Sequence, residues 1–157
     1  HGFHDPDHYT TARDLARITQ AALKSENFRQ IVDTAEYVIP ESATGKEHKL
    51  KTTNLLIYES TGNSLYYPRA TGVKTGYTSA AGRCLVATAE DDGIRFLSVL
   101  CGAKTTILES GDLLMESFPE TIKLLDYGFD NYSYFIRIFK RFTNETPVAF
   151  RKNVKSK

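Results

Sequence analysis

The chain has 157 residues, of which 41% are hydrophobic and 25% charged, and its net charge is +1. This balance is typical of one soluble globular domain with a real core, and it gives no reason to expect nucleic-acid binding. No run of about 18 apolar residues predicts a membrane-spanning helix, and no signal peptide is visible. Because the first residue is His1 rather than Met, we expect a processed product or a fragment.

The first part of the chain predicts helices. Residues 1–9 form a polar lead-in whose histidines and aspartates lack the spacing of a zinc motif, so a loop is favoured over a metal site. Thr11 and Asp14 are typical of a capping box that starts a helix reaching about Lys24. Ser25 is expected to cap a second, short helix.

Short extended and turn segments follow. Tyr37-Val38-Ile39 predicts a short strand that ends at Pro40. Residues 42–46 and 60–64 predict turns, and residues 53–58 predict a turn that leads into an apolar segment.

From Gly72 onward the sequence predicts β-structure. Segments 83–89 and 94–100 flank Asp92-Gly93, which is typical of a two-residue type I′ hairpin loop. This register predicts three cross-strand pairs: Glu90 with Arg95, Val86 with Val99, and Cys84 with Cys101. Because such a cysteine pair can be bridged only with strained geometry, two reduced core thiols are favoured over a disulfide.

The end of the chain predicts a helix followed by a segment in which aromatic and basic residues are mixed. Ser117 is the expected cap, Pro119 lies in the first turn, and Gly128 is the expected end. Beyond residue 130, aromatic residues interleave with lysine and arginine, which predicts a linker or the first strand of a second domain, with an amphipathic surface segment as an alternative. Residues 137–157 carry about +6, so contact with an anionic membrane surface is an alternative to the favoured solvated tail.

The most informative stretch is Lys74-Thr75-Gly76. An ammonium and a hydroxyl on one strand, flanked by glycines, predict a compact anion site. Gly76 has no side chain, so a ligand can approach the backbone closely. These residues form one half of a chemical site.

Several segments, taken in order, resemble the serine D-alanyl-D-alanine carboxypeptidases, the low-molecular-weight penicillin-binding proteins of the β-lactamase-like fold. The likeness covers about residues 1–130, and the matching segments are 2–5, 8–16, 53–56, 72–82, 102–105 and 124–129. It implies an α+β chain with a partial β-lactamase/transpeptidase-like fold, in which an antiparallel sheet packs against helices. Residues 1–130 would be the C-terminal part of the catalytic domain, and residues 131–157 a linker or the start of a second domain with a basic tail.

The family uses the motifs Ser-x-x-Lys, Ser-x-Asn and Lys-Thr-Gly. No serine of this chain has a lysine three residues later. The string Ser25-Glu26-Asn27 fits Ser-x-Asn, but it follows the His-Asp segment that the family's motif precedes, and capping already explains Ser25. We therefore expect a chain that lacks the nucleophile and is inactive alone.

The resemblance implies a role for each matching residue. Lys74, Thr75 and Gly76 would form the catalytic Lys-Thr-Gly wall, with Lys74 attracting the substrate's terminal carboxylate and Thr75 hydrogen-bonding it. The Tyr77 N–H would be one oxyanion donor. Lys104 stands where many relatives carry a carboxylate-binding arginine, and a surface lysine is an equal alternative. No cofactor or metal is implied.

The implied function is trimming of the terminal D-alanine of peptidoglycan stem peptides through an acyl-enzyme, with β-lactam antibiotics as further ligands, in the extracytoplasmic cell envelope. Alternatives are a β-lactamase-type hydrolase, a non-catalytic peptidoglycan-binding module, and a soluble α+β domain with a chance match. An unpaired sheet edge leads us to expect a dimer or a domain swap.

Overall fold

The computed structural model describes residues 4–43, 45–147 and 149. Its helices are α1 (Ala12–Ala22), α2 (Glu26–Val32) and α3 (Ser117–Thr143). Its strands are β1 (Glu36–Ile39), β2 (His48–Lys51), β3 (Ala70–Thr78), β4 (Gly82–Asp91), β5 (Ile94–Ala103), β6 (Thr105–Ile107) and β7 (Leu113–Met115). The predicted lead-in at residues 1–3, Thr44 of the predicted turn, and the tail from residue 150 lie outside the described residues.

The central sheet is antiparallel, with strand order β3-β4-β5, and it packs against α3. Strands β1–β2 and β6–β7 form two separate antiparallel pairs. Alternate residues of β4 face α3 because successive side chains of a strand point to opposite faces. They build two core clusters, one of Leu56, Leu85, Ala87 and Phe118, and one of Ala89, Leu125 and Phe129. The predicted α+β architecture is confirmed.

Both N-terminal helices begin where the capping residues predict. The Asp14 N–H donates to Thr11 Oγ1 at 3.1 Å, and the Phe28 N–H donates to Ser25 Oγ at 3.4 Å. Each contact satisfies a backbone donor that the first turn of a helix would leave unpaired. Ser25 therefore serves as a helix cap, as its local chemistry predicts.

The predicted hairpin is confirmed around its loop. Asp92 and Gly93 have φ values of 48° and 74°, as a type I′ loop requires. The predicted pairs of Glu90 with Arg95 and Val86 with Val99 are present.

The predicted pairing of Cys84 with Cys101 is wrong. A bulge shifts the register after the pairing of Leu85 with Leu100, so that Arg83 pairs with Ala103. Both cysteines are free thiols, as favoured, but Cys84 is half-buried and Cys101 is exposed, so they are not core residues.

Helix α3 differs from its prediction at both ends. Ser117 is its first helical residue rather than its cap, and Glu116 at the cap position makes no side-chain capping bond. Gly128 does not end the helix. A Cβ at this position would lie 3.2 Å from the Phe96 ring, so close packing on the sheet explains the glycine. The helix runs through residue 130 to Thr143, where Asn144 at φ 57° ends it. Among the described residues after 130 no strand is present, so a linker or strand from residue 131 is wrong as far as Thr143. The domain division at 130 remains a prediction.

Candidate active site

Lys74, Thr75 and Gly76 lie in the middle of β3, paired across the sheet with Val86, Leu85 and Cys84. Among the described residues no strand pairs with the other edge of β3, so that edge offers free backbone groups. Upstream, Gly72 has φ +123°, and a Cβ there would lie 2.9 Å from Val32 Cγ2. The glycine therefore lets the end of α2 pack directly against the start of β3.

Two contacts hold the polar groups of the motif. The Lys74 ammonium donates to the Thr75 carbonyl oxygen at 2.6 Å. Thr53 Oγ1 and Thr75 Oγ1 lie 2.5 Å apart, and either hydroxyl can be the donor. A hydroxyl has one proton and two acceptor lone pairs. If Thr53 donates, the Thr75 proton is left for an incoming acceptor.

Two cavities meet at this strand. The first has a volume of about 790 Å³ and lies between α2, the β1–β2 pair and the edge of β3. The second has a volume of about 520 Å³ and extends along β3 towards the start of α3. Lys74, Thr75 and Thr53 line both cavities, and Tyr77 lines the second. The structure therefore brings together four polar residues around one accessible strand.

Asn54 places a buried donor at the first cavity. The residue is only 2% exposed, and its Oδ1 accepts the Leu56 N–H at 3.2 Å. Its Nδ2 has no hydrogen-bond partner among the described residues. An unpaired buried donor costs about 1–3 kcal/mol, and Asn54 carries such a donor next to the first cavity.

Arg83 lies at the second cavity. It pairs with Tyr77 across the sheet, and its guanidinium lies 4.2 Å from the centre of the Tyr77 ring. Its Nε–H donates to Thr105 Oγ1 at 3.1 Å. The sequence identified Arg83 only as the start of a strand. The register that opposes Arg83 to Tyr77 belongs to the β3–β4 pairing, which the predicted Asp92-Gly93 hairpin does not define.

Lys104 lies apart from these residues. It connects β5 and β6, is exposed, and lines neither cavity. Its carbonyl oxygen accepts the Glu116 N–H at 3.2 Å. The structure thus gives its backbone a structural contact, and the role of its side chain remains a prediction.

Cys84 also lines the second cavity. Burial raises the pKa of the Cys101 thiol, and the neighbouring Cys84 raises it further. Within residues 4–43, 45–147 and 149, no group of three or more His, Cys, Asp or Glu residues could hold a metal ion. None of the helices described is both long and apolar enough to cross a membrane.

Comparison with solved structures defines the class. The Streptomyces K15 DD-transpeptidase superposes with a TM-score of 0.65 at 27% identity, over 80% of this chain and 44% of that chain. Penicillin-binding protein D2 of Listeria monocytogenes, in its cefotaxime-bound form, gives a TM-score of 0.60 at 25% identity, over 82% and 45%. The fold is that of the penicillin-binding DD-peptidases.

The sequence profile of the D-alanyl-D-alanine carboxypeptidases matches residues 1–105, and the chain belongs to that family. DacF of Bacillus subtilis is 34% identical over 96% of this chain and 34% of its own length. DacC of Escherichia coli K12 is 32% identical over 95% of this chain and 31% of its own length. The chain therefore spans about a third of the length of these relatives.

Proposed function

We propose that the chain forms the Lys-Thr-Gly wall of a serine D-Ala-D-Ala carboxypeptidase, which trims the terminal D-alanine of peptidoglycan stem peptides. The observation that carries the proposal is the cluster of Lys74, Thr75 and Thr53 along a free strand edge between two cavities. The family assignment supports the reaction class.

Binding would begin with the substrate strand. An extended peptide adds to a free sheet edge through backbone hydrogen bonds, and the outer edge of β3 offers such groups. The Lys74 ammonium would attract the terminal carboxylate as a point charge. The Thr75 hydroxyl would donate to one carboxylate oxygen while it accepts from Thr53.

Catalysis would require a serine from a Ser-x-x-Lys segment outside these 157 residues. That serine would attack the carbonyl between the two D-alanines, the terminal D-alanine would leave, and water would hydrolyse the acyl-enzyme. The Tyr77 N–H would stabilise the oxyanion, and loss of one such donor typically costs about 10²–10³ in rate. This chain alone would be inactive.

The proposed substrate implies which ligands the protein would bind and where in the cell it would act. Stem peptides and β-lactam antibiotics would be the partners, and the extracytoplasmic cell envelope the location. The basic residues of the last turn of α3, Lys140 and Arg141, would favour contact with an anionic membrane surface.

The test compares this chain with the product of the full open reading frame that encodes it. Fluorescent penicillin should label the full product covalently and leave the 157-residue chain unlabelled. Released D-alanine from a D-Ala-D-Ala-terminated pentapeptide should exceed turnover of nitrocefin; the reverse would identify a β-lactamase-type hydrolase. If the full product binds cell-wall sacculi in a pull-down but releases no D-alanine, it is a peptidoglycan-binding module rather than an enzyme.

Lys74→Ala tests the role proposed for the Lys74 ammonium in binding the substrate. We expect it to lower D-alanine release by more than tenfold and to weaken labelling. Lys123→Ala is the matched control, because Lys123 is an exposed lysine on α3 that lines neither cavity. Equal activity of the two variants would contradict the role of Lys74.

A further inference from the structure

Arg83 is a half-buried cation without a carboxylate partner. Among the described arginines only Arg29 and Arg83 are half-buried, and Arg29 forms an ion pair with Glu26. Arg83 forms no ion pair with any described Asp or Glu. A partly buried guanidinium with no counter-ion in the described residues can accept an anion from outside the chain, and less water has to be displaced than at a fully exposed side chain.

The contacts of Arg83 orient it and leave donors free. Thr105 accepts from Nε, and the Tyr77 ring lies beneath the guanidinium. A guanidinium carries five N–H donors in a planar fork, so a pair of parallel donors remains for a carboxylate. Both neighbours are uncharged, so they hold the side chain without neutralising it.

Arg83 and Thr75 lie on the same face of the sheet. Arg83 opposes Tyr77, and Thr75 is two residues before Tyr77 on β3. Thr75 and Arg83 are therefore diagonal neighbours on one face of two adjacent strands, about 7–8 Å apart, which a long arginine side chain can span. Both residues also line the second cavity. One anion could therefore contact both the Thr75 hydroxyl and the Arg83 guanidinium.

We propose that Arg83, rather than Lys104, recognises the terminal carboxylate of the peptide substrate together with Thr75. The inference rests on the proposed function and assigns a specificity-determining residue within it. Lys104 lines neither cavity, and an ammonium cannot match a carboxylate bidentately. Arg83 supplies the planar fork from the opposite strand.

The experiment measures selectivity for the carboxylate. Two peptides ending in D-Ala-D-Ala, one with a free carboxylate and one with a C-terminal amide, are given to the full open reading frame product. The ratio of kcat/KM for the two peptides is compared between the unmodified protein and Arg83→Gln, and we expect it to fall at least tenfold, mainly through KM. Arg83→Lys keeps the charge but loses the fork, so an intermediate ratio is expected, and this variant serves if the glutamine variant does not fold.

Two variants act as controls. Arg95→Gln removes an arginine of the same sheet that pairs with Glu90 outside both cavities, and it should leave the ratio unchanged. Lys104→Gln should change the ratio less than twofold.

A retained ratio in folded Arg83→Gln would overturn the assignment of Arg83 and leave the proposed function standing, and collapse of the ratio in Lys104→Gln would then assign the carboxylate to Lys104. Absence of D-alanine release from the unmodified protein would overturn the proposed function, and the inference with it.

Discussion

The hydroxyl pair at the candidate site can be tested by a double-mutant cycle. Thr53 Oγ1 and Thr75 Oγ1 lie 2.5 Å apart, at the short end of O–H···O hydrogen bonds. Thr75→Val would remove a hydrogen bond to a charged carboxylate, worth about 2 kcal/mol, or about 30-fold in kcat/KM. Thr53→Val would leave the Thr75 hydroxyl present but unoriented, at a cost of about 1 kcal/mol, or about fivefold.

The coupling between the two substitutions is the informative quantity. If Thr53 acts only through Thr75, its replacement should have almost no effect once Thr75 is valine, which gives a coupling of about 1 kcal/mol. The assay is D-alanine release by the full open reading frame product, with thermal unfolding as a check on folding. Thr53 is exposed, so its replacement should change stability by less than about 0.5 kcal/mol. Thr53→Ser keeps the hydroxyl and should retain most of the activity. Independent, additive losses from the two valine substitutions would refute the reasoning.

Three further outcomes follow from the fold. Burial raises the pKa of Tyr67 from its ordinary 10.0 to about 12, helped by its hydrogen bond to Asp126 at 2.7 Å. The folded state therefore holds a proton that the unfolded state loses, so stability is fully present below pH 10.0 and falls as the pH rises towards about 12. Tyr67→Phe should flatten this fall in unfolding curves measured against pH, and an unchanged slope would contradict it. Gly72→Ala should destabilise by about 2–4 kcal/mol in urea unfolding, because its Cβ would meet Val32 at 2.9 Å. Gly62 is also at positive φ, but a Cβ there would have no atom within 4 Å, so Gly62→Ala should lower the free energy of unfolding less than Gly72→Ala. Equal losses would show that Val32 moves aside to make room for the added Cβ. Light scattering of this chain at rising concentration should show association through the free edges of β3 and β5, whereas a monomer throughout would count against it.

Local chemistry made much of the fold predictable. Thr11 and Ser25 cap their helices because a side-chain oxygen can satisfy a backbone donor one turn ahead. The Asp92-Gly93 loop is predictable because few residue pairs adopt positive φ at both positions. Such features depend on residues close in sequence.

Features that depend on distant residues were missed. Gly128 carries the sequence signal of a helix end, yet its closeness to Phe96 of β5 decides its role. The bulge that shifts the register at Cys84 and Cys101 likewise has no local signal. At the site, Lys74 and Thr75 were predictable from their motif. Thr53 and Arg83 were not, because a loop and a neighbouring strand bring them to Thr75 and Tyr77 only after folding.

The length of α3 has a mechanical consequence. Its 27 residues, at a rise of 1.5 Å each, form a rod about 40 Å long. Phe118, Leu125 and Phe129 pack its first half against the sheet, Tyr132 still contacts Phe96, and the remaining turns continue to Thr143. A small change in the tilt of the packed half would be magnified at Thr143, so the far end of the rod is a sensitive place for a fluorescent reporter of strain in the sheet.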